Sequence, residues 1–172
     1  MEIEAEDYNQ KSDSMELVIS LLLQYPQVNK VNVNLNSQEV IFTFLIQREL
    51  SISGLKEFKS KLNQSLRLYG SLSQIDVAQI KIDYKCCGDL TELEITSGLC
   101  NLTEEVISFI IRFIYNEFGT ELLSEDIVKD NSTVENEIIN ELLENLKVNN
   151  LNQRLVGFRE KNKVLVFNKA NN

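Results

Sequence analysis

Apolar and polar residues alternate in short runs at three places along this chain, and between the runs apolar residues recur at three- and four-residue steps. Val31, Val33 and Leu35 alternate with Asn32 and Asn34, the pattern of a strand buried on one face, and Asn36-Ser37 supplies a turn. The partner run, Val40 to Ile46, is apolar on both faces except at Thr43, which predicts a central strand covered on both sides or lying at an interface. Ile80, Ile82 and Tyr84 alternate with Lys81, Asp83 and Lys85, and after a turn at Gly88-Asp89 Leu93 and Ile95 alternate with Glu92 and Glu94. A third hairpin is expected from Leu155-Val156-Gly157-Phe158 and Val164-Leu165-Val166-Phe167 around a turn at Glu160 to Asn162.

The helical runs are bounded by recognisable signals. Ser14 is placed to cap a helix through Gln24, with Leu17, Val18, Leu21 and Leu22 as its apolar stripe and Pro26 as its stop. Ser51 or Ser53 opens a second, in which Leu55, Phe58, Leu62, Leu66 and Tyr69 share a face. Asn101 or Thr103, with Glu104 placed for a capping box, opens a third that carries Val106, Ile107, Phe109, Ile110, Ile111, Phe113, Ile114 and Phe118. That band is too wide for a helix lying on a sheet with its back to water. Either the following helix, Thr133 to Leu146, or a second copy of the chain is expected to cover it.

Val40 to Gly70 and Leu93 to Gly119 each read strand, polar cap, helix and aromatic-Gly stop, so the same unit is written twice with little identity. The order of elements predicts an α+β fold, a ferredoxin-like (split βαβ) antiparallel sheet with helices mainly on one face, plus an N-terminal helix and strand and a C-terminal helix-hairpin as additions. The strands at Val40 to Ile46 and Leu93 to Ile95 should share a sheet, with both capped helices on one side of it. Residues 1–13, with Glu2, Glu4, Glu6 and Asp7, are expected to form an acidic disordered tail, and residues 14–170 a single domain.

Composition removes several kinds of chemistry. The 172 residues include no histidine, so Ser-His-Asp, Cys-His and His-metal sites are excluded, and the lack of tryptophan removes the strongest stacking face. Cys86, Cys87 and Cys100 lack the pairing and the fourth ligand of a metal site; one of the adjacent pair is expected in the core and the other near the turn. Glu121, Glu125, Asp126 and Asp130 lack a calcium-loop register, and no glycine-rich phosphate loop is present. Catalytic, cofactor and metal residues are therefore assigned to none. The acidic start, without a basic or apolar leader, argues against secretion, and no apolar run is long enough for a membrane span. An Asn-, Ile- and Lys-rich composition suits a bacterial cytoplasmic protein.

The net charge of −9 is unevenly spread. Residues 89–146 set fourteen acidic side chains against Arg112 and Lys129, whereas residues 151–172 set Arg154, Arg159, Lys161, Lys163 and Lys169 against Glu160. A polyanion would be repelled overall, so nucleic-acid binding is not expected, and the basic hairpin is expected to pack against the acidic helix of its own chain or of a symmetry mate. These features favour a non-enzymatic interaction or regulatory protein that self-associates as a homodimer or meets a protein partner. Candidate interface residues are Phe109, Ile111, Phe113 and Phe118 on the over-apolar helix and Phe158 and Phe167 on the last hairpin. A small-molecule-sensing domain is the alternative, and an enzyme using carboxylate or Lys chemistry ranks below it.

Overall fold

The computed structural model describes residues 2–77, 80–124, 134–148, 152–161 and 163–169. Its elements are α1 (Glu2–Gln24), β1 (Lys30–Asn34), β2 (Glu39–Ile46), α2 (Ile52–Ser73), β3 (Lys81–Cys87), β4 (Leu90–Gly98), α3 (Glu104–Phe118), α4 (Val134–Lys147), β5 (Arg154–Glu160) and β6 (Lys163–Asn168). Six strands build one sheet in the order β3-β4-β2-β1-β5-β6, and every neighbouring pair is antiparallel. The fold is α+β, with an open sheet and four helices.

Alternation decides which side of the sheet is covered. Val31 and Val33 of β1, Val40, Phe42, Phe44 and Ile46 of β2, Leu93 and Ile95 of β4 and Leu155 of β5 all point to one face, and they join buried residues of all four helices in a single core. Register keeps the set together: Phe42 stands opposite Ile95 and Val31, and Phe44 opposite Leu93. A one-residue slip would turn every one of these side chains to water.

The strand β4 lies between β2 and β3, and α2 joins those two, which is a split β-α-β arrangement. The expected pairing of the strands at 40–46 and 93–95 is present as β2 with β4. On the other side of β2 stands β1, brought there by its short connection, and β5 then pairs with β1.

Four local expectations differ from what forms. The helix α1 begins at Glu2 rather than at Ser14, because no Gly or Pro interrupts residues 2–13. Gly70 does not stop α2, which runs to Ser73 with left-handed Gln74 as its cap; the chain then doubles back so closely that a Cβ on Gly70 would lie 2.8 Å from the Ile75 carbonyl oxygen. At α3 the cap is Thr103, whose Oγ1 accepts from the Val106 N–H at 3.3 Å, so Glu104 is the first helical residue and cannot close a capping box. Cys86 and Cys87 are both exposed, neither in the core, at the end of the edge strand β3, where burial falls away after Ile82. Of the acidic residues Glu121, Glu125, Asp126 and Asp130, the last three lie outside the described residues.

Candidate interaction surface

The second face of the sheet presents Lys81, Asp83 and Lys85 of β3, Glu92, Glu94 and Thr96 of β4, Ile41, Thr43 and Leu45 of β2, Lys30 and Asn32 of β1, Arg154, Val156, Phe158 and Glu160 of β5, and Leu165 and Phe167 of β6. All described helices pack on the other side. Charge divides this face. Lys30 reaches Glu92 and Glu94 at 3.8 Å each, and Lys81 meets Asp83 at 3.0 Å, so the β3-β4 half is a lattice of exposed ion pairs. Such pairs contribute little stability, about 0–1 kcal/mol each, but keep that half wetted.

The β5-β6 half is different. Val156 stands opposite Phe167 and Phe158 opposite Leu165, and the Phe158 and Phe167 rings stack at 5.5 Å between centroids with planes 15° apart. Phe167 is 53% exposed, and Phe158, Val156 and Leu165 are half-buried. These four side chains form an apolar island rimmed by Arg154, Glu160 and Lys163. Aromatic residues beside Arg on an otherwise polar face are the composition that protein interfaces favour.

Beyond the island lies the sheet edge. The Lys169 N–H donates to the Arg154 carbonyl, which fixes the alternation along β6. Lys163, Leu165 and Phe167 therefore bond to β5, while the N–H and C=O groups of Val164, Val166 and Asn168 face outward. This edge has no Pro and no charge between Lys163 and Lys169. The opposite edge, β3, alternates Lys81, Asp83 and Lys85, the charged pattern that discourages edge pairing.

The predicted interface residues fall into two places. Phe158 and Phe167 meet on the open face, as just described. Phe109, Ile111, Phe113 and Phe118 lie in the helical layer: Phe109 stacks on Tyr69 of α2 at 4.7 Å, Phe58 of α2 lies 5.9 Å from Phe113 and 5.2 Å from Phe118, and Ile111 is 4% exposed. The wide apolar band of α3 is thus covered within the chain, by α2 on one flank and α4 on the other. The sequence signal for Leu165 is the unbroken apolar run Val164 to Phe167, which puts two residues on each face of a strand, and that for Val156 is its alternation with Leu155 and Gly157.

A buried polar seam joins the helices. The Tyr25 hydroxyl donates to the Glu104 carboxylate, Gln24 Nε2 reaches the same oxygen at 3.5 Å and also Asn136 of α4, and Asn140 accepts from the Glu104 N–H at 2.9 Å. Burial, reinforced by the Glu104 carboxylate, raises the Tyr25 pKa well above the ordinary tyrosine range. On β5, Arg159 donates to the Leu22 carbonyl and to the Tyr25 carbonyl at 3.4 Å, where α1 ends. Both groups fasten α1 to the rest of the molecule.

A cleft of about 360 Å³ opens where α2 begins and α3 ends, lined by Arg48, Glu57, Phe58, Glu117 and Phe118 among others. Within it Arg48 is already engaged, paired with Glu121 at 3.2 Å and lying 5.8 Å from the Phe118 ring centre. Among the described residues no group of His, Cys, Asp and Glu side chains is arranged to hold a metal ion, and no helix is long and apolar enough to cross a membrane. No family model matches the chain, and neither does any curated protein or solved structure.

Proposed function

We propose that this protein is a non-enzymatic interaction module of the bacterial cytoplasm that works by protein-protein contact and associates with itself through the β5-β6 end of its sheet. The observation that carries the reading is the Phe158-Phe167 stack on a face that no described helix covers. A half-exposed aromatic island beside an apolar edge loses water on contact at about 25 cal/mol per Å², which favours association without any directed chemistry. The buried ionisable pair, Tyr25 with Glu104, joins the end of α1 to the start of α3. The split β-α-β half supports reading the core as ferredoxin-like, with its helices on one side and the other side of the sheet left open to contact.

The test is molar mass by light scattering after size-exclusion chromatography over a wide concentration range. A mass of twice the chain, falling toward one chain on dilution, supports the reading; one chain at every concentration overturns it. The sensing alternative would place its ligand in the cleft beside Arg48, and a thermal-shift panel of amino acids, nucleotides and metal ions that raises the melting temperature would favour it.

A further inference from the structure

Two apolar surfaces end on the same side of the molecule, one in each layer. In the sheet this is β6. In the helical layer it is α1, which covers β1, β5 and β6 and has α4 on its inner flank. Gln24 and Asp13 of α1 face Asn136 and Asn145 of α4, and Val18 and Leu22 press on Gly157 of β5. The remaining flank, turned away from α4, carries Met15, Ile19 and Leu23 at four-residue spacing. Met15 is 44% and Leu23 51% exposed, where a monomer would be expected to place polar residues.

We infer that β6 pairs with β6 of a second copy about a two-fold axis at Leu165, joining two sheets into one of twelve strands and setting the two α1 flanks against each other. The inference rests on the self-association reading above and gives it a geometry. An antiparallel pair that keeps the open faces on one side and overlaps the whole of β6 has its axis at Leu165 or at Val166. With the axis at Val166, Lys163 stands opposite Lys169 of the second copy and like charges meet. With the axis at Leu165, Lys163 stands opposite Phe167 of the second copy, an attractive cation-aromatic placement, and Val164 and Val166 exchange hydrogen bonds through the groups already directed outward.

The same axis serves the helical layer. Gly157, which sits beneath Val18 and Leu22, pairs with Val166, so Val166 and the adjoining Leu165 lie alongside the stretch of α1 that holds Ile19. A two-fold axis there sets Ile19 against its own copy and Met15 against Leu23, three long apolar side chains per helix filling the space above the joined strands. The charge bordering this stripe is the exposed Glu16, three residues before Ile19. In this arrangement Phe167 stands at the seam beside Lys163 of the second copy and loses part of its exposure there, while Phe158 keeps its place on the open face. A different protein adding a strand to β6 would use the same edge but has no reason to match the α1 flank, and that match selects a second copy as the occupant.

Leu165 faces the open side and is half-buried there, so replacing it leaves the core intact. Leu165→Lys and Leu165→Glu should each raise the dimer dissociation constant at least tenfold by placing like charges against each other on the axis, with unchanged far-ultraviolet circular dichroism. Mixing the two variants should restore a dimer containing one of each, read by native mass spectrometry. If both variants remain dimeric, or both are monomeric and the mixture stays so, the axis at Leu165 is overturned while a dimeric wild type leaves self-association standing. A monomeric wild type overturns both. As a second measurement, Leu165→Cys in a chain with Cys86, Cys87 and Cys100 replaced by Ser should form an intermolecular disulfide under mild oxidation, whereas Lys81→Cys on the opposite edge should not.

Discussion

Gly157 and Val18 touch because Gly157 has no side chain. A Cβ at 157 would overlap the Val18 Cγ1 atom and come within 3.0 Å of Leu22 Cδ1, so the glycine lets α1 lie directly on β5. Neither neighbour can swing away, since both are fully buried. Gly157→Ala is therefore expected to destabilise the fold by about 1–3 kcal/mol, the usual cost of overpacking a core. Val18→Ala in the same chain should remove part of that cost. Urea denaturation of the two single variants and the double variant gives the coupling, and strict additivity would refute the contact.

The end of α1 is held by Arg159, whose guanidinium meets the Leu22 and Tyr25 carbonyls. The Leu22 carbonyl belongs to the last turn of α1 and carries the negative end of its dipole, while the Tyr25 carbonyl, just past the helix, also accepts from the Val28 N–H at 3.0 Å. Arg159→Met keeps the aliphatic stem and removes the donors, and should cost about 1.5–3 kcal/mol, the range for hydrogen bonds to charged groups. Arg159→Lys should recover only part of the loss, because one ammonium cannot reproduce the planar fork. If Arg159→Met unfolds at the same urea concentration as the wild type, Arg159 does not cap the helix.

Much of this architecture can be read from spacing alone, because burial on one face enforces strict alternation. The three hairpins, the four helices and the pairing of β2 with β4 all follow from it. The strand order does not. Nothing in Lys30–Asn34 says that β1 will stand between β2 and β5, since that depends on which of two edges the last hairpin meets. The reading of α3 as over-apolar is correct as a pattern, but its cover, Phe58 and Tyr69 from α2, comes from a helix distant in sequence. The Arg159 cap and the Tyr25-Glu104 bond join residues far apart in the chain, and no local signal marks either. The α1 flank has no separate signal in the sequence, because Met15, Ile19 and Leu23 sit beside the buried stripe and blur its edge.

The Tyr25 hydroxyl keeps its proton to a higher pH in the folded protein than in the unfolded chain, first through burial and then through the adjacent Glu104 carboxylate. Above the ordinary tyrosine pKa of about 10 the folded state consequently holds more protons than the unfolded one, so stability falls as pH rises. The contribution is fully present below that value and is lost progressively above it. Tyr25→Phe should flatten this alkaline limb while lowering stability near neutral pH by about 1–3 kcal/mol, because Glu104 loses its donor in a buried place. The difference in absorbance between wild type and Tyr25→Phe, followed from pH 9 to 12, should show the Tyr25 hydroxyl ionising only as the protein unfolds. A Tyr25 ionisation signal from the folded protein in that range would contradict the buried bond.

Thr43 lies on the open face yet is only 2% exposed, walled in by its strand neighbours Ile41 and Leu45 and by Lys30 and Glu94 directly across from it. Its hydroxyl has no hydrogen-bond partner among the described residues. A hydroxyl held out of water without a partner costs about 1–3 kcal/mol, and Val places a methyl in the same volume with a higher preference for strands. Thr43→Val should therefore raise stability by about 1 kcal/mol, visible as a later urea midpoint with an unchanged slope. It should also extend the apolar line from Ile41 to Leu45 toward the β5-β6 island, and so strengthen any association that uses the open face near its centre. The edge arrangement about Leu165 leaves Thr43 away from the contact, so on that geometry the dimer dissociation constant of Thr43→Val stays at the wild-type value. A tighter dimer would place the contact on the face instead of the edge.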